Sequence, residues 1–345
     1  MSDQPPPVEA LSVVVPCFNE VDNVIPCYEE IVRELGDLSL ELIFVDDGST
    51  DGTLEKIKAL AARDPRVRYL TFTRNYGFEA AFSAGYRYAS KPWILHIDAD
   101  QQFPADQARL LITTAAEGYD AVFGVRTNRQ DPALRRAGTA AFHFIARRVL
   151  RMELPLGATA FRLVRAPLAR AVIQLRMGNP HFFATVPRFT DRYTTVQIGH
   201  RARQRGTSKV GFGWLASHAI ELFVGFTRRL ATIISVTCFG AAVTAVLLGL
   251  AVVTGLARGV VVPAALFGLL AVVLLGSSLV IRYLVVVGSG HARPRLYYVR
   301  AANFPIDPAD RFDADEDRSE DTQLPMSRVE TIETIAVPVP QEAHR

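Results

Sequence analysis

The chain has 345 residues, enough for one large or two ordinary domains with tails. Its formal net charge of +3 is too small to support a nucleic-acid partner, and its apolar residues concentrate beyond residue 230. The three cysteines (Cys17, Cys27, Cys238) form neither a C-x-x-C pair nor an even set, which argues against a disulfide framework or zinc ribbon and fits a reducing compartment.

Residues 1–10 are polar and Pro-rich without an apolar core, and read as a disordered lead-in rather than a signal peptide. Short β-branched runs then alternate with helical patterns. Strands are expected at 11–16, 41–46, 67–72, 93–97 and 120–124, and helices at 21–35, 52–62, 78–90 and 104–117. This alternation predicts an α/β domain with a mainly parallel sheet and helices on both faces. Residues 126–153 are Arg-rich and mostly helical, 160–164 and 194–199 read as further strands, and 201–210 as a basic loop. Residues 213–229 mix aromatics and aliphatics with His218, Glu221, Arg228 and Arg229, as in an amphipathic helix on a membrane surface.

Ala231–Gly255 and Val260–Ile281 contain no charged residue. At ~1.5 Å per residue, each can cross a hydrocarbon core of ~30 Å. Arg228 and Arg229 precede the pair and Arg293, Arg295 and Arg300 follow it, against a single Arg258 in the connecting turn. That asymmetry predicts an integral protein of the plasma or inner membrane, with two spans and both termini and the catalytic part in the cytoplasm. Beyond about 305 the chain is acidic and aperiodic, as in a disordered tail. The expected organisation is a lead-in (1–10), a catalytic domain (11–210), a juxtamembrane helix (211–230), a two-helix membrane domain (231–288) and a cytoplasmic tail (289–345).

Three short motifs fall at expected strand ends: Val15-Pro16-Cys17-Phe18-Asn19-Glu20, Val45-Asp46-Asp47-Gly48-Ser49-Thr50-Asp51-Gly52 and Ile97-Asp98-Ala99-Asp100-Gln101-Gln102. Open α/β sheets bind ligands beyond the carboxyl ends of their strands. Paired carboxylates there suit a hard divalent cation that carries phosphate. On these motifs the chain resembles the inverting, GT-A-fold (Rossmann-like) glycosyltransferases of family 2. Within that family it resembles the polyprenyl-phosphate sugar synthases, both dolichyl-phosphate mannose synthases and bacterial glucosyl enzymes. The resemblance runs from about residue 11 to 300 and includes the two apolar spans.

The resemblance implies residue roles. Pro16, Phe18, Glu20, Val45 and Asp47 correspond to the nucleotide pocket, with Asp98 and Ala99 beside it. Asp98, Asp100 and Gln102 correspond to the set that holds Mg²⁺ or Mn²⁺. Arg126, in Gly124-Val125-Arg126, and the pair Arg135 and Thr139 correspond to residues that hold the acceptor phosphate. Arg203 and Lys209, in Arg203-Gln204-Arg205-Gly206-Thr207-Ser208-Lys209, would clamp the donor diphosphate. Asp100, Arg126 and Arg203 are the implied catalytic residues. Two departures stand out. Phe78 occupies a position where the family usually carries a basic residue, and Gly157 to Leu163 holds no carboxylate where the family often has one. A phosphate acceptor is already an anion and needs no general base, so the second departure fits a lipid phosphate better than a sugar hydroxyl.

The implied function is transfer of one sugar from a nucleotide-diphosphate donor, with a UDP-hexose such as UDP-glucose favoured, to polyprenyl phosphate at the cytoplasmic membrane face. The alternatives are a GDP-mannose-dependent mannosyltransferase and a non-catalytic membrane scaffold. A processive polysaccharide synthase would carry Q-x-x-R-W, and neither Trp93 nor Trp214 follows an Arg. The expected partners are the nucleotide sugar, the lipid phosphate, the membrane, a downstream flippase or lipid-linked-sugar-using transferase, and a second copy of the chain packed through Gly268 and Gly276.

Overall fold

The computed structural model describes residues 7–126, 138, 142, 144–149, 151, 154–155, 157–175, 182–199, 201, 222, 228–255, 261–288 and 295–312. Arg135, Thr139, Arg203, Lys209, the lead-in to residue 6, the tail from 313 and nearly all of the expected juxtamembrane helix lie outside these residues.

The first half follows the expected alternation: β1 (Ala10–Cys17), α1 (Val24–Leu35), β2 (Ser39–Asp46), α2 (Thr53–Ala61), β3 (Val67–Phe72), α3 (Phe78–Tyr88), β4 (Trp93–His96), α4 (Ala108–Ala115) and β5 (Ala121–Arg126). Then come β6 (Ala158–Arg165), α5 (Ala166–Gln174), β7 (Tyr193–Ile198), the long helices α6 (Arg228–Val253) and α7 (Val261–Gly288), and β8 (Val299–Ala302). The eight strands form one sheet in the order β7-β5-β6-β4-β1-β2-β3-β8. Only β6 and β8 run against the rest: β6 is antiparallel to β4 and β5, and β8 to β3. The carboxyl ends of β1, β2, β4 and β5 therefore share one edge of the sheet.

The central strands are apolar nearly throughout because both faces are covered. Leu11, Val13 and Val15 of β1 and Leu42 and Phe44 of β2 pack with α1, α2 and α4 on one face. Val14, Ile43 and Val45 point the other way, with α3 and α5. Alternate side chains thus feed two cores, as the two-residue strand period requires.

β8 corrects the expected organisation. The tail expected from residue 289 instead rejoins the sheet, pairing Leu70 with Ala302 and Thr71 with Ala301 at the β3 edge. Its four residues carry no periodicity of their own, so β3 supplies the register. Packing also continues past residue 305. Buried Asp310 accepts from Tyr88 Oη at 2.6 Å and Tyr297 Oη at 3.3 Å, and pairs with Arg87 Nε at 2.9 Å.

Within α6, Thr232–Val253 has 22 residues with a mean hydropathy of 2.4, long and apolar enough to cross a membrane; α7 contains a shorter apolar stretch, Ala265–Ile281. Val236, Phe239, Phe267 and Leu275 are exposed along this pair. The hydroxyls of Thr237, Thr244 and Ser277 each donate to the carbonyl four residues back, at 2.8 Å, which satisfies them without a partner outside the helix. The helices meet at Gly276, where a Cβ would collide with Cys238 Sγ. Gly276 is thus used within the chain, whereas a Cβ on Gly268 would meet open space.

Candidate active site

Two loops at the shared strand edge lock together before any ligand is considered. Asn19, which follows β1, has φ +56°, a left-handed conformation that Asn tolerates better than most residues. Its side chain accepts from Thr50 N at 2.9 Å, and its amide donates to Ser49 Oγ at 3.0 Å. Glu20 N donates to Thr53 Oγ1 at 2.9 Å. Gly48 has φ +68°, and a Cβ there would fall 2.5 Å from the Arg74 backbone. Only glycine lets the loop after β2 lie this close to the loop after β3.

Asp47 joins these loops. It is 3% exposed, and its oxygens accept from Tyr76 N at 2.6 Å and Gly77 N at 2.9 Å. Burial pushes its carboxyl up to about 6 against the opposing pull of these amides. Of the other residues implied for the nucleotide pocket, Pro16, Phe18 and Glu20 are partly exposed beside it. The Val45 side chain lies in the core instead, so only its backbone can face a ligand, and Ala99 is buried as well.

The third loop carries Asp98, Asp100 and Gln102, all partly exposed. Asp100 Oδ1 accepts from Gln102 N at 3.2 Å, which turns the loop so that the three side chains share one short segment. Gln101 between them has φ +53°. Its side chain is held by Glu30 of α1, Nε2 to Oε2 at 2.5 Å. Glu30 also accepts from Ala105 N at 3.2 Å and Arg201 Nη1 at 2.9 Å, while Arg201 N donates to Gln102 O at 2.9 Å. Glu30 therefore ties the acidic loop to the point where the chain leaves β7 for the expected basic loop. The signal for it was a carboxylate among Val24, Cys27, Ile31 and Leu35, the buried face of α1.

Arg126 ends β5 and is separated from β4 by β6, yet its guanidinium lies 5.1 Å from the Phe103 ring centroid, one residue past Gln102. The structure thus brings Asp98, Asp100, Gln102 and Arg126 to one edge. Among the described residues no group of three or more His, Cys, Asp or Glu could hold a metal. Two carboxylates and an amide fit a cation that completes its shell with water and substrate phosphate.

Beneath Asp98 lies a group of buried polar side chains. His96 is fully buried, and burial pulls its ring down to about 4 while the Asp98 hydrogen bond pulls the other way. Its Nε2 lies 3.4 Å from Asp98 Oδ1, and its Nδ1 lies 3.2 Å from Tyr86 Oη. Arg162 Nε donates to that hydroxyl at 2.7 Å. Phe78, 41% exposed, sets its ring 5.2 Å from that of His96. The available signal was period: Asp98 follows His96, the last residue of β4, by two, and Phe78, Phe82 and Tyr86 are four apart on a helix.

A doubly covered, mainly parallel sheet with acidic and basic groups at its strand ends defines an open α/β protein whose ligand site lies beyond the carboxyl ends of its strands. The profile of glycosyl transferase family 2 matches residues 12–172. CsbB of Bacillus subtilis is 30% identical over 221 residues, 64% of this chain and 67% of that protein. The undecaprenyl-phosphate 4-deoxy-4-formamido-L-arabinose transferase of Salmonella choleraesuis is 28% identical over 312 residues, 87% of this chain and 95% of that protein. Among solved structures, glucosyl-3-phosphoglycerate synthase of Mycobacterium tuberculosis, crystallised with Mn²⁺, UDP and glucosyl-3-phosphoglycerate, aligns with a TM-score of 0.47 at 19% identity, over 64% of this chain and 80% of that one. The chain belongs to glycosyl transferase family 2 and is a glycosyltransferase.

Proposed function

We propose that the enzyme moves a single sugar from a nucleotide-diphosphate donor to polyprenyl phosphate at the cytoplasmic face of a membrane, with inversion. One observation carries this reading: the acidic loop after β4 and Arg126 of β5 converge on a sheet that the chain leaves towards an apolar helix and later rejoins through β8. A chain that crosses a bilayer along α6 must cross back to place β8 beside β3. α7 supplies that return as a helix of 28 residues, about 42 Å at the α-helical rise. The apolar side chains exposed along the pair suit lipid contact, and the relative that spans most of this chain acts on undecaprenyl phosphate.

In this reading Asp98, Asp100 and Gln102 hold Mg²⁺ or Mn²⁺, which supplies charge neutralisation to the departing nucleoside diphosphate. Arg203 and Lys209 grip that diphosphate; Pro16, Phe18, Glu20, Asp47, Ala99 and the Val45 backbone line the nucleotide pocket. Arg126, Arg135 and Thr139 hold the acceptor phosphate, and the forked guanidiniums suit its oxygens. An acceptor oxygen forms the new bond to the anomeric carbon from the face opposite the breaking bond to diphosphate. The attacking group is already anionic, which fits a β6 segment without a carboxylate between Gly157 and Leu163.

A UDP-hexose, with UDP-glucose first, is the favoured donor and GDP-mannose the alternative. The sugar named for the Salmonella relative is a modified pentose, so the donor is best found by screening. Purified protein in detergent, given a short polyprenyl phosphate and Mg²⁺ or Mn²⁺, should make a lipid-linked sugar from one of UDP-glucose, UDP-galactose, UDP-N-acetylglucosamine and GDP-mannose. Binding of one donor without lipid product would overturn the acceptor assignment.

A further inference from the structure

α3 lays a stripe of Phe78, Phe82 and Tyr86 across one face of the sheet, and beneath it β4 and β6 pair His96 directly with Arg162. Opposed residues of an antiparallel pair share a face. The two polar side chains are therefore buried together under the aromatics. Arg162 is 3% exposed and its guanidinium lies 4.3 Å from the Phe182 ring centroid and 4.8 Å from that of Phe82. Among the described residues its Nη2 has no hydrogen-bond partner. Burying a cation with one nitrogen unpartnered costs free energy, and such a group calls for an account of its task.

The hydrogen bonds give that task a direction. Arg162 Nε can only donate, so Tyr86 Oη accepts from it at 2.7 Å. The tyrosine hydrogen then points to His96 Nδ1, 3.2 Å away. A ring that accepts at Nδ1 carries its proton on Nε2, and this nitrogen faces Asp98 Oδ1 at 3.4 Å. The opposite tautomer would set two lone pairs against each other at Asp98 and leave the Tyr86 hydrogen without an acceptor.

We propose that His96 is a positioning residue for Asp98, fixed in its Nε2–H tautomer by a one-way series of donors, Arg162 to Tyr86 to His96 to Asp98. The series holds one carboxylate oxygen of Asp98 from below and orients the group towards the nucleotide-bound cation. This rests on the reading of Asp98 given under the proposed function. Groups that hydrogen-bond a metal ligand from behind act the same way in metalloenzymes, where their loss weakens metal binding by roughly 10–100-fold. Phe78 closes the outer side of the His96 ring in place of a basic side chain, which would set a second cation against the relay.

Two readouts test this on the full-length protein in detergent. The first is the ¹⁵N spectrum of histidine-labelled protein, with the His96 ring assigned by its absence in His96→Gln. An Nε2–H tautomer that loses its preference in Tyr86→Phe is expected; an Nδ1–H ring in the unaltered protein would overturn the proposal. The second is Mn²⁺ affinity in the presence of UDP or GDP, followed by the electron paramagnetic resonance of the free ion. His96→Leu, which lacks the donor, should bind Mn²⁺ about tenfold more weakly. His96→Gln, whose amide can still donate to Asp98, should recover to within about threefold, a rescue that loss of packing would not give. If Asp98→Asn weakens binding while His96→Leu does not, the inference alone falls. If neither weakens it, or the unaltered protein binds no Mn²⁺ with either nucleotide, the metal-site reading falls and takes the inference with it.

Discussion

Asp47 is the clearest case of a side chain with two demands on it. Its carboxylate anchors the loop after β3, yet burial pushes it up to about 6 from an ordinary 3.8. A carboxyl whose folded value lies above its unfolded one binds an extra proton in the folded state between those values. Its contribution therefore favours the fold below about pH 4 and is lost as pH rises through about 6, on the order of 2 kcal/mol. Unfolding measured from pH 4 to 8 should show this slope in the unaltered protein and a flatter one in Asp47→Asn; parallel slopes would refute it. Glu30 makes a prediction about contacts alone, because its carboxylate accepts hydrogen bonds from three donors. Removing them in Glu30→Ala should cost about 2 kcal/mol or more of stability and lower sugar transfer, read by thermal unfolding and turnover. The place of Asp98 and Asp100 at the sheet edge was legible in the sequence because both closely follow an apolar strand. Tyr86 and Arg162 were not, because each reads locally as core or as a stray charge. Their meeting depends on the antiparallel register of β4 with β6, strands that lie far apart in the chain with α4 and β5 between them.

At the level of elements, each strand-helix pair to β5 was visible in periodicity, since apolar runs and amphipathic stripes are set by local burial. β8 was invisible because Val299–Ala302 is too short to show alternation and is fixed by its pairing with β3. Loss of the Asp310 carboxylate in Asp310→Ala should strip Tyr88, Tyr297 and Arg87 of a shared acceptor and destabilise the protein by about 2 kcal/mol. The helix pair invites a sharper contrast. Gly276→Leu inserts a side chain where even a Cβ collides with Cys238, and should destabilise the detergent-solubilised protein by about 1–3 kcal/mol. Gly268→Leu, facing open space, should leave its melting temperature nearly unchanged. Equal effects would mean that α6 and α7 do not meet at Gly276.

At the scale of the whole molecule, one sheet and one apolar hairpin divide the work. Strand ends gather charged groups, and the return of the chain through β8 ties the hairpin's far end to the same sheet. Sequence could supply the two apolar runs and their flanking arginines, but not this closure, which is a long-range contact. A cysteine placed at Arg300 should react with an impermeant thiol reagent only from the cytoplasmic side of membrane vesicles, and one at Arg258 only from the other side. Cys17 and Cys27 are buried, and burial pushes their thiols up, so they should contribute little background. The most direct test of the central claim is to give the protein polyprenyl phosphate with the donor that the screen identifies, beside Asp100→Ala, and to determine the anomeric configuration of the product. A lipid-linked sugar of inverted configuration, dependent on divalent metal and reduced at least about a hundredfold in Asp100→Ala, is predicted, roughly what loss of a key charge-stabilising group costs. A product of retained configuration, or undiminished transfer by Asp100→Ala, would contradict it.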